Sequence, residues 1–152
     1  MANTAENTIV LGLNENGSER PIFDDMLASA TVTPGEFLAI SSGALIPHGT
    51  AAGTNVLRLV AVQPWAKTVA GTKGIDTTYA SGDRVRYVMP QRGDSVYAFL
   101  EAGANVAKGA PLESGAAGNL QASTTGDVLA YAKEAVNNSG GGTRVRIRVW
   151  VA

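Results

Sequence analysis

Eighteen glycines punctuate this 152-residue chain, well above the roughly 7% of an average protein, so its elements must be short. They are scattered as turns and show no collagen-like period. Between them, and between clusters of Pro, Asn and Ser, lie compact runs such as "EFLAIS", "NVLRLVAVQ", "DRVRYVM" and "SVYAFL". Turn signals at this spacing around β-rich runs predict a mainly β fold.

The length suits one domain, or one domain with an arm. Such a chain buries roughly two thirds of its unfolded surface and needs no metal or disulfide staple. It has no cysteine, which excludes disulfides and thiolate metal sites. Twelve basic and 13 acidic residues give a net charge of −1, which argues against a general polyanion binder. The opening "MANTAENTIVLGLNENG" lacks the basic region and apolar run of a secretory leader. No run reaches the 18 or more apolar residues of a membrane span, so no membrane partner is expected. Without a leader, the sequons at Asn16 and Asn137 carry no weight.

Two stretches differ in character. Residues 1–30 read as an extended N-terminal arm, and residues 31–152 as the β-rich body. In the arm, Ile9 to Leu11 forms one short apolar run, and a strand of that kind cannot bury itself alone. Thr8, Ile9, Val10, Leu11 and Leu13 are therefore expected to contact a neighbour. The arm is expected to be disordered until it finds one. Phe23 and Leu27, four apart in "PIFDDMLASA", predict a helical turn.

In the body, strands are predicted from Glu36 to Ser41, over 55–63, over 83–89 and from Ser95 to Leu100. Alternation places Val60 and Val62 opposite Leu59 and Ala61, and Arg84 and Arg86 opposite Val85 and Tyr87. Residues 66–83 form a long polar connection and the expected mobile loop of the body. The stretch "ANVAKGAPLESGAAGNLQAS" is cut into very short extended pieces by its glycines. A hairpin is predicted from strands near 128–136 and 143–151.

Catalytic signals are missing. The lone His48 has no G-x-S-x-G elbow to serve and cannot make a two-histidine metal site. "GANVAKGAP" lacks the order of a phosphate-binding loop. Asp24-Asp25 reads as the acidic start of the helical turn, and Arg92-Gly93-Asp94 as a turn between strands. No catalytic, cofactor-binding or metal-binding residue is expected, and the chain does not read as an enzyme.

The closing "GGGTRVRIRVWVA" puts Arg144, Arg146 and Arg148 on one strand face and turns Val145, Ile147, Val149 and Val151 toward the core. A hairpin centred on Gly140 places Glu134 opposite Arg146 and sends Leu129 and Tyr131 inward. The arginine row then has three readings: a solvated, partly paired face; a contact with acidic groups of a partner or sister subunit; or a nucleic-acid contact. The last is disfavoured by the net charge and by the lack of interleaved aromatics apart from Trp150. On the first two readings, charge reversal at Arg144 and Arg148 leaves the fold intact.

The order "TVTPGEFLAISSG", "IPHGTAAGTN", "LRLVAVQP", then "YASGDRVRY", "RGDSVYAFLEAGANVAKGAPLESG" and "NNSGGGTRVRIRV" resembles the head decoration, or capsid cement, proteins of tailed bacteriophages. The resemblance covers residues 31–151. It implies a small β-rich body, a β-barrel or tulip-like sandwich, often trimeric, on the outer surface of the expanded head. Such a protein is made in the host bacterial cytoplasm, takes the major capsid protein and itself as partners, and has no cofactor. The family has no catalytic residues to carry over and no contact motif. The rival reading is a carbohydrate- or receptor-binding β module on a virion surface, for which Trp65, Trp150 and Tyr79 are the candidate platforms.

Overall fold

A computed structural model of the chain describes residues 6–12, 21–54, 56–64 and 74–152. The strands are β1 (Val10–Gly12), β2 (Ile22–Leu27), β3 (Phe37–Ser41), β4 (Ala44–Pro47), β5 (Leu59–Ala61), β6 (Arg84–Met89) and β7 (Ser95–Leu100). They continue with β8 (Asn105–Val106), β9 (Pro111–Ser114), β10 (Leu120–Ala122), β11 (Ala130–Ala132), β12 (Val136–Asn137) and β13 (Val145–Val151). The fold is mainly β, as the turn punctuation predicts. Short 3-10 turns at Gly74–Asp76 and Ala116–Gly118 are the helical pieces among the described residues.

Five strands close a barrel in the order β7-β10-β9-β11-β13 and back to β7. The longest wall is β7 against β13, antiparallel from Val145 opposite Leu100 to Trp150 opposite Ser95. The inward set of each strand follows the alternation. Val96, Ala98 and Leu100 meet Ile147, Val149 and Val151, with Leu112, Leu120, Ala130 and Ala132 filling the remainder. Burying one such large aliphatic side chain stabilises the fold by about 1.5–3 kcal/mol.

The second sheet runs β2-β6-β5-β3-β4, antiparallel throughout. Its inner strands serve two cores at once. Phe37, Val60 and Val88 face the barrel core, while Leu38, Leu59, Ala61, Val85 and Tyr87 face a second core with Val32, Leu45 and Tyr79. Two buried faces explain why "LRLVAV" and "RYVM" read as nearly continuous apolar runs. A two-stranded ribbon of β8 and β12 completes the structure.

Strand β7 has two very different edges. One is fully occupied by β13. The other is divided among three segments: the N–H of Tyr97 donates to Ile9 O at 2.8 Å, that of Phe99 to Gly35 O at 3.3 Å, and that of Glu101 to Leu120 O at 2.9 Å. The N-terminal strand, the lead into β3 and the barrel closure all converge there. Gly35 permits the approach. Its φ is +98°, and an added Cβ would sit 2.9 Å from Tyr97 O, so glycine alone fits without displacement.

Several sequence expectations change. The predicted helical turn around Phe23–Leu27 is the strand β2, six residues paired with β6. Each side of that strand finds a partner: Asp24 accepts from Tyr87 Oη and Asp25 pairs with Arg84. The hairpin is shifted by one residue, with Ala130 opposite Val151 and Tyr131 opposite Trp150. That slip turns Tyr131 outward, 40% exposed, whereas Leu129, just ahead of β11, is buried as expected. Its first strand is also shorter, because Val136 and Asn137 pair with β8 instead. Tyr79 is not a surface platform: it is 3% exposed and donates its hydroxyl to Val62 O. Of the expected mobile loop, residues 74–83 are anchored by buried Ile75 and the Val32–Tyr79 bridge, and residues 66–73 lie outside the described residues.

Ile147→Ala, in the barrel core, is expected to cost about 2–5 kcal/mol and Ile40→Ala, at a half-exposed rim position, less than about 1 kcal/mol. Urea unfolding midpoints at unchanged slope measure the difference. Equal losses at the two positions contradict it.

Candidate functional site

Arg144, just ahead of β13, and Arg146 and Arg148 within it do form a row, and it lies along the seam between the barrel, the second sheet and the N-terminal strand. Arg144 stacks 3.9 Å from the centre of the Phe99 ring, and Arg146 lies 4.4 Å from it and 6.0 Å from that of Tyr97. These aromatics alternate along β7 as the arginines do along β13, so each guanidinium has a ring face within cation–π reach.

Each arginine then finds its acid in a different part of the chain. Arg144 Nη1 lies 2.6 Å from Glu36 Oε1, in the lead to β3. Arg146 pairs with Asp76 at 2.5 Å and donates to the carbonyls of Pro34 and Ile75. Arg148 lies 2.8 Å from Glu6 and 2.6 Å from Glu134, whose other oxygen accepts the Arg148 N–H at 2.9 Å. The Glu6 hydrogen bond is the main influence holding Arg148 above its ordinary pKa. The acid expected opposite Arg146 bonds Arg148 instead, reaching it from outside the paired residues of β11. Glu36 is 4% exposed, and its second oxygen accepts the Thr33 N–H at 2.8 Å, so this buried carboxylate is fully engaged.

The N-terminal strand is seated by the same seam. Ile9 is fully buried in the barrel core. Gln63 brackets it, accepting the Ile9 N–H at 3.3 Å and donating to Thr8 Oγ1 at 3.0 Å. Val10 and Leu11 are half-buried, and Leu13 lies outside the described residues. The neighbour that the short apolar run needs is, in this structure, its own β7. Nothing in the sequence pattern marks Gln63 or Asp76 as partners, since both act across more than fifty positions.

A second polar centre shapes the far end of the barrel. Glu113 is fully buried on β9. It accepts from Gln121 Nε2 at 2.7 Å, Thr124 N–H at 2.9 Å, Thr124 Oγ1 at 2.8 Å and Gly126 N–H at 2.7 Å. Burial pushes its pKa up, but these four donors outweigh it and hold the group at about 2. It is a structural carboxylate that organises the 123–126 turn.

The remaining motifs are local. Asp94 is 1% exposed and its carboxylate accepts the Gln91 N–H at 2.8 Å, so Arg92-Gly93-Asp94 closes the turn between β6 and β7. His48 is half-buried, with burial pushing its pKa down against a hydrogen bond that the ring donates to the backbone of Thr50. No cluster of three or more metal-ligating side chains occurs among the described residues. Among them, no helix is long and apolar enough to cross a membrane. Among the described residues, the large exposed apolar side chains are Ile22, Phe23 and Leu27 on β2, Ile40 on β3, Leu57 before β5, and Tyr131 on the barrel. The sequence pattern places Phe23 and Leu27 in a helical turn and Tyr131 inward, so it does not mark these side chains as an exposed set.

No family model matches the chain, and no curated protein matches it. One solved structure to which it is similar is the N base of the head fiber gp8.5 of bacteriophage phi29. The TM-score is 0.49 at 16% sequence identity, over 87% of this chain and 94% of that one.

Two outcomes follow from the ionic contacts. Replacing Glu36 by alanine leaves Arg144 and the Thr33 N–H without their acceptor. The expected loss is about 2–3 kcal/mol, below the range for a fully buried pair because Arg144 keeps access to solvent. Charge reversal at Arg144 and Arg148 is expected to destabilise the fold, since it sets glutamates against Glu36, Glu6 and Glu134. Acid unfolding tests Glu113. Its pKa is lower in the folded chain than the ordinary value of 4.5. Its contribution is therefore complete above about 4.5 and is lost as pH falls toward about 2. Glu113→Gln is expected to lower stability at neutral pH and to flatten that acid limb.

Proposed function

We propose that this protein is a structural component of a tailed-bacteriophage virion, binding the outside of the expanded head and cementing the lattice of the major capsid protein as a homotrimer. The ordered motifs shared with head decoration proteins suggest this reading. The observation that carries it is the edge strand β2: six residues with Ile22, Phe23 and Leu27 exposed, on a body whose described charges are largely satisfied internally. A cement protein needs a rigid body and a surface patch for its neighbours, and it has no use for a reactive cleft.

The chemistry supports binding over catalysis. Glu113, the carboxylate with the strongly lowered pKa, is saturated with donors and has no proton to exchange near neutrality. The apolar edge supplies burial, and Asp24 and Asp25 supply direction. Three-fold association multiplies a modest contact per copy, adding roughly 10²–10⁴ in avidity where geometry lets all copies engage. The arginine row contributes by holding the body rigid, and the partner contact first expected of Arg144, Arg146 and Arg148 passes to β2. Thr8, Val10, Leu11 and Leu13 remain contact candidates beside it, while Ile9 is interior.

One observation favours the rival reading. Tyr131 lies directly opposite Trp150 on the outer face of the barrel, with Lys133 Nζ 5.6 Å from the indole centre. That is the layout of a small stacking platform for a sugar ring. Specific signals on a glycan array, lost in Tyr131→Ala, favour a glycan-binding module.

The main reading is tested by mixing purified protein with undecorated expanded heads and imaging the pelleted particles. Regular surface density is expected, at a ratio that light scattering relates to a trimer. Phe23→Asp is expected to weaken binding at least tenfold per copy without unfolding the chain, roughly the loss of one apolar anchor. Bare heads with the wild-type protein contradict the proposal.

A further inference from the structure

Strand β1 stands outside the closed ring of the barrel. The ring closes through β7 and β10, but those two strands pair at a single position, Leu120 opposite Leu100. Along the rest of that edge the wall has no ring strand; Gly35 takes the Phe99 N–H, and β1 lies beside Ser95 to Tyr97. The seat is specific at several positions. Arg148 takes the carboxylate of Glu6, Gln63 takes Thr8 Oγ1 and the Ile9 N–H, and Val10 lies opposite Val96. The barrel core takes the Ile9 side chain.

We propose that this groove is an exchange site, occupied in the assembled protein by the N-terminal strand of a second copy of the chain. The occupant is identified by what the groove recognises: an extended segment reading Glu-x-Thr-Ile-Val, with an acid three residues before an inward isoleucine. The chain carries that segment itself, so a second copy makes the same contacts. Replacing the strand in cis by the strand in trans therefore costs no interaction, and concentration and chain reach decide between them. Only residues 13–20 separate β1 from Pro21. Eight extended residues reach at most about 29 Å, enough to leave one small body and seat on a neighbour. The pairing is also short, with a register irregularity between Val10 and Gly12, so few ladder bonds must break for the strand to leave.

The experiment uses the full chain and needs no phage heads, so its failure is distinguishable from failure of head binding. A Cβ built at Gly12 lies 4.0 Å from Ser95 Cβ, within the range of a disulfide. The chain has no cysteine of its own, and Ser95 is 4% exposed, so a thiol at position 95 is reached only by a strand seated over it. In the double variant Gly12→Cys, Ser95→Cys, oxidation of dilute protein is expected to link each chain to itself. As concentration approaches the millimolar effective concentration of the cis strand, chain-to-chain linkage should rise from under about a tenth to over about half. Mixed single variants should then give the 12–95 heterodisulfide, identified by peptide mass. Self-linkage alone at every concentration, with no heterodisulfide between the single variants, overturns the exchange. No disulfide of either kind overturns the seating of the strand.

Discussion

Three like charges in a row on one strand can be held half-buried only if each is matched, and in this protein the matching builds the tertiary structure. Arg144, Arg146 and Arg148 draw Glu36, Asp76, Glu134 and Glu6 from four separate stretches of the chain. Two of those stretches lead the second sheet against the barrel, and one brings in the N-terminal strand. The rings of Phe99 and Tyr97 beneath the guanidinium groups cover one side of the seam, which strengthens each pair and makes an unpaired charge there costly. Cation, ring and acid have to be in place together, so the seam fixes one arrangement of the two sheets.

Apolar packing reinforces the same arrangement. Strands β3, β5 and β6 carry alternate residues into two different cores, so the second sheet cannot leave the barrel without exposing Phe37, Val60 and Val88. The free edge of β7 is parcelled out to Ile9, Gly35 and Leu120, which spends backbone donors on joining segments distant in sequence. Side chains and main chain thus specify one seam twice, by non-directional burial and by directional bonding.

A body built in this way has its chemistry turned inward. Its buried carboxylates, Glu36 and Glu113, are saturated with donors, and its buried acid in the Arg-Gly-Asp turn closes that turn. Among the described residues, the outside carries the apolar edge of β2 and the aromatic pair on the barrel. Those are the resources of a protein that holds other molecules in place, and they are the ground on which the proposed virion role rests.

The alternation of "TRVRIRVWV" by itself determined the faces of β13, and likewise the parity of β5 and β6, because a strand admits only a period of two. The glycine and proline punctuation determined the mainly β class and the bounds of β7, since turns need the conformations those residues supply. Three things needed the tertiary structure. The region around Asp24-Asp25 became a strand because β6 offered a full ladder, which outweighs a weak local preference for a helical turn. The hairpin register moved by one because Val136 and Asn137 found β8. The arginines acquired their acids through contacts 14 to 142 residues apart, separations at which sequence carries charge but no address. Local periodicity is set by the backbone and is readable in sequence; pairing across such distances is set by which compact arrangement leaves no buried charge alone.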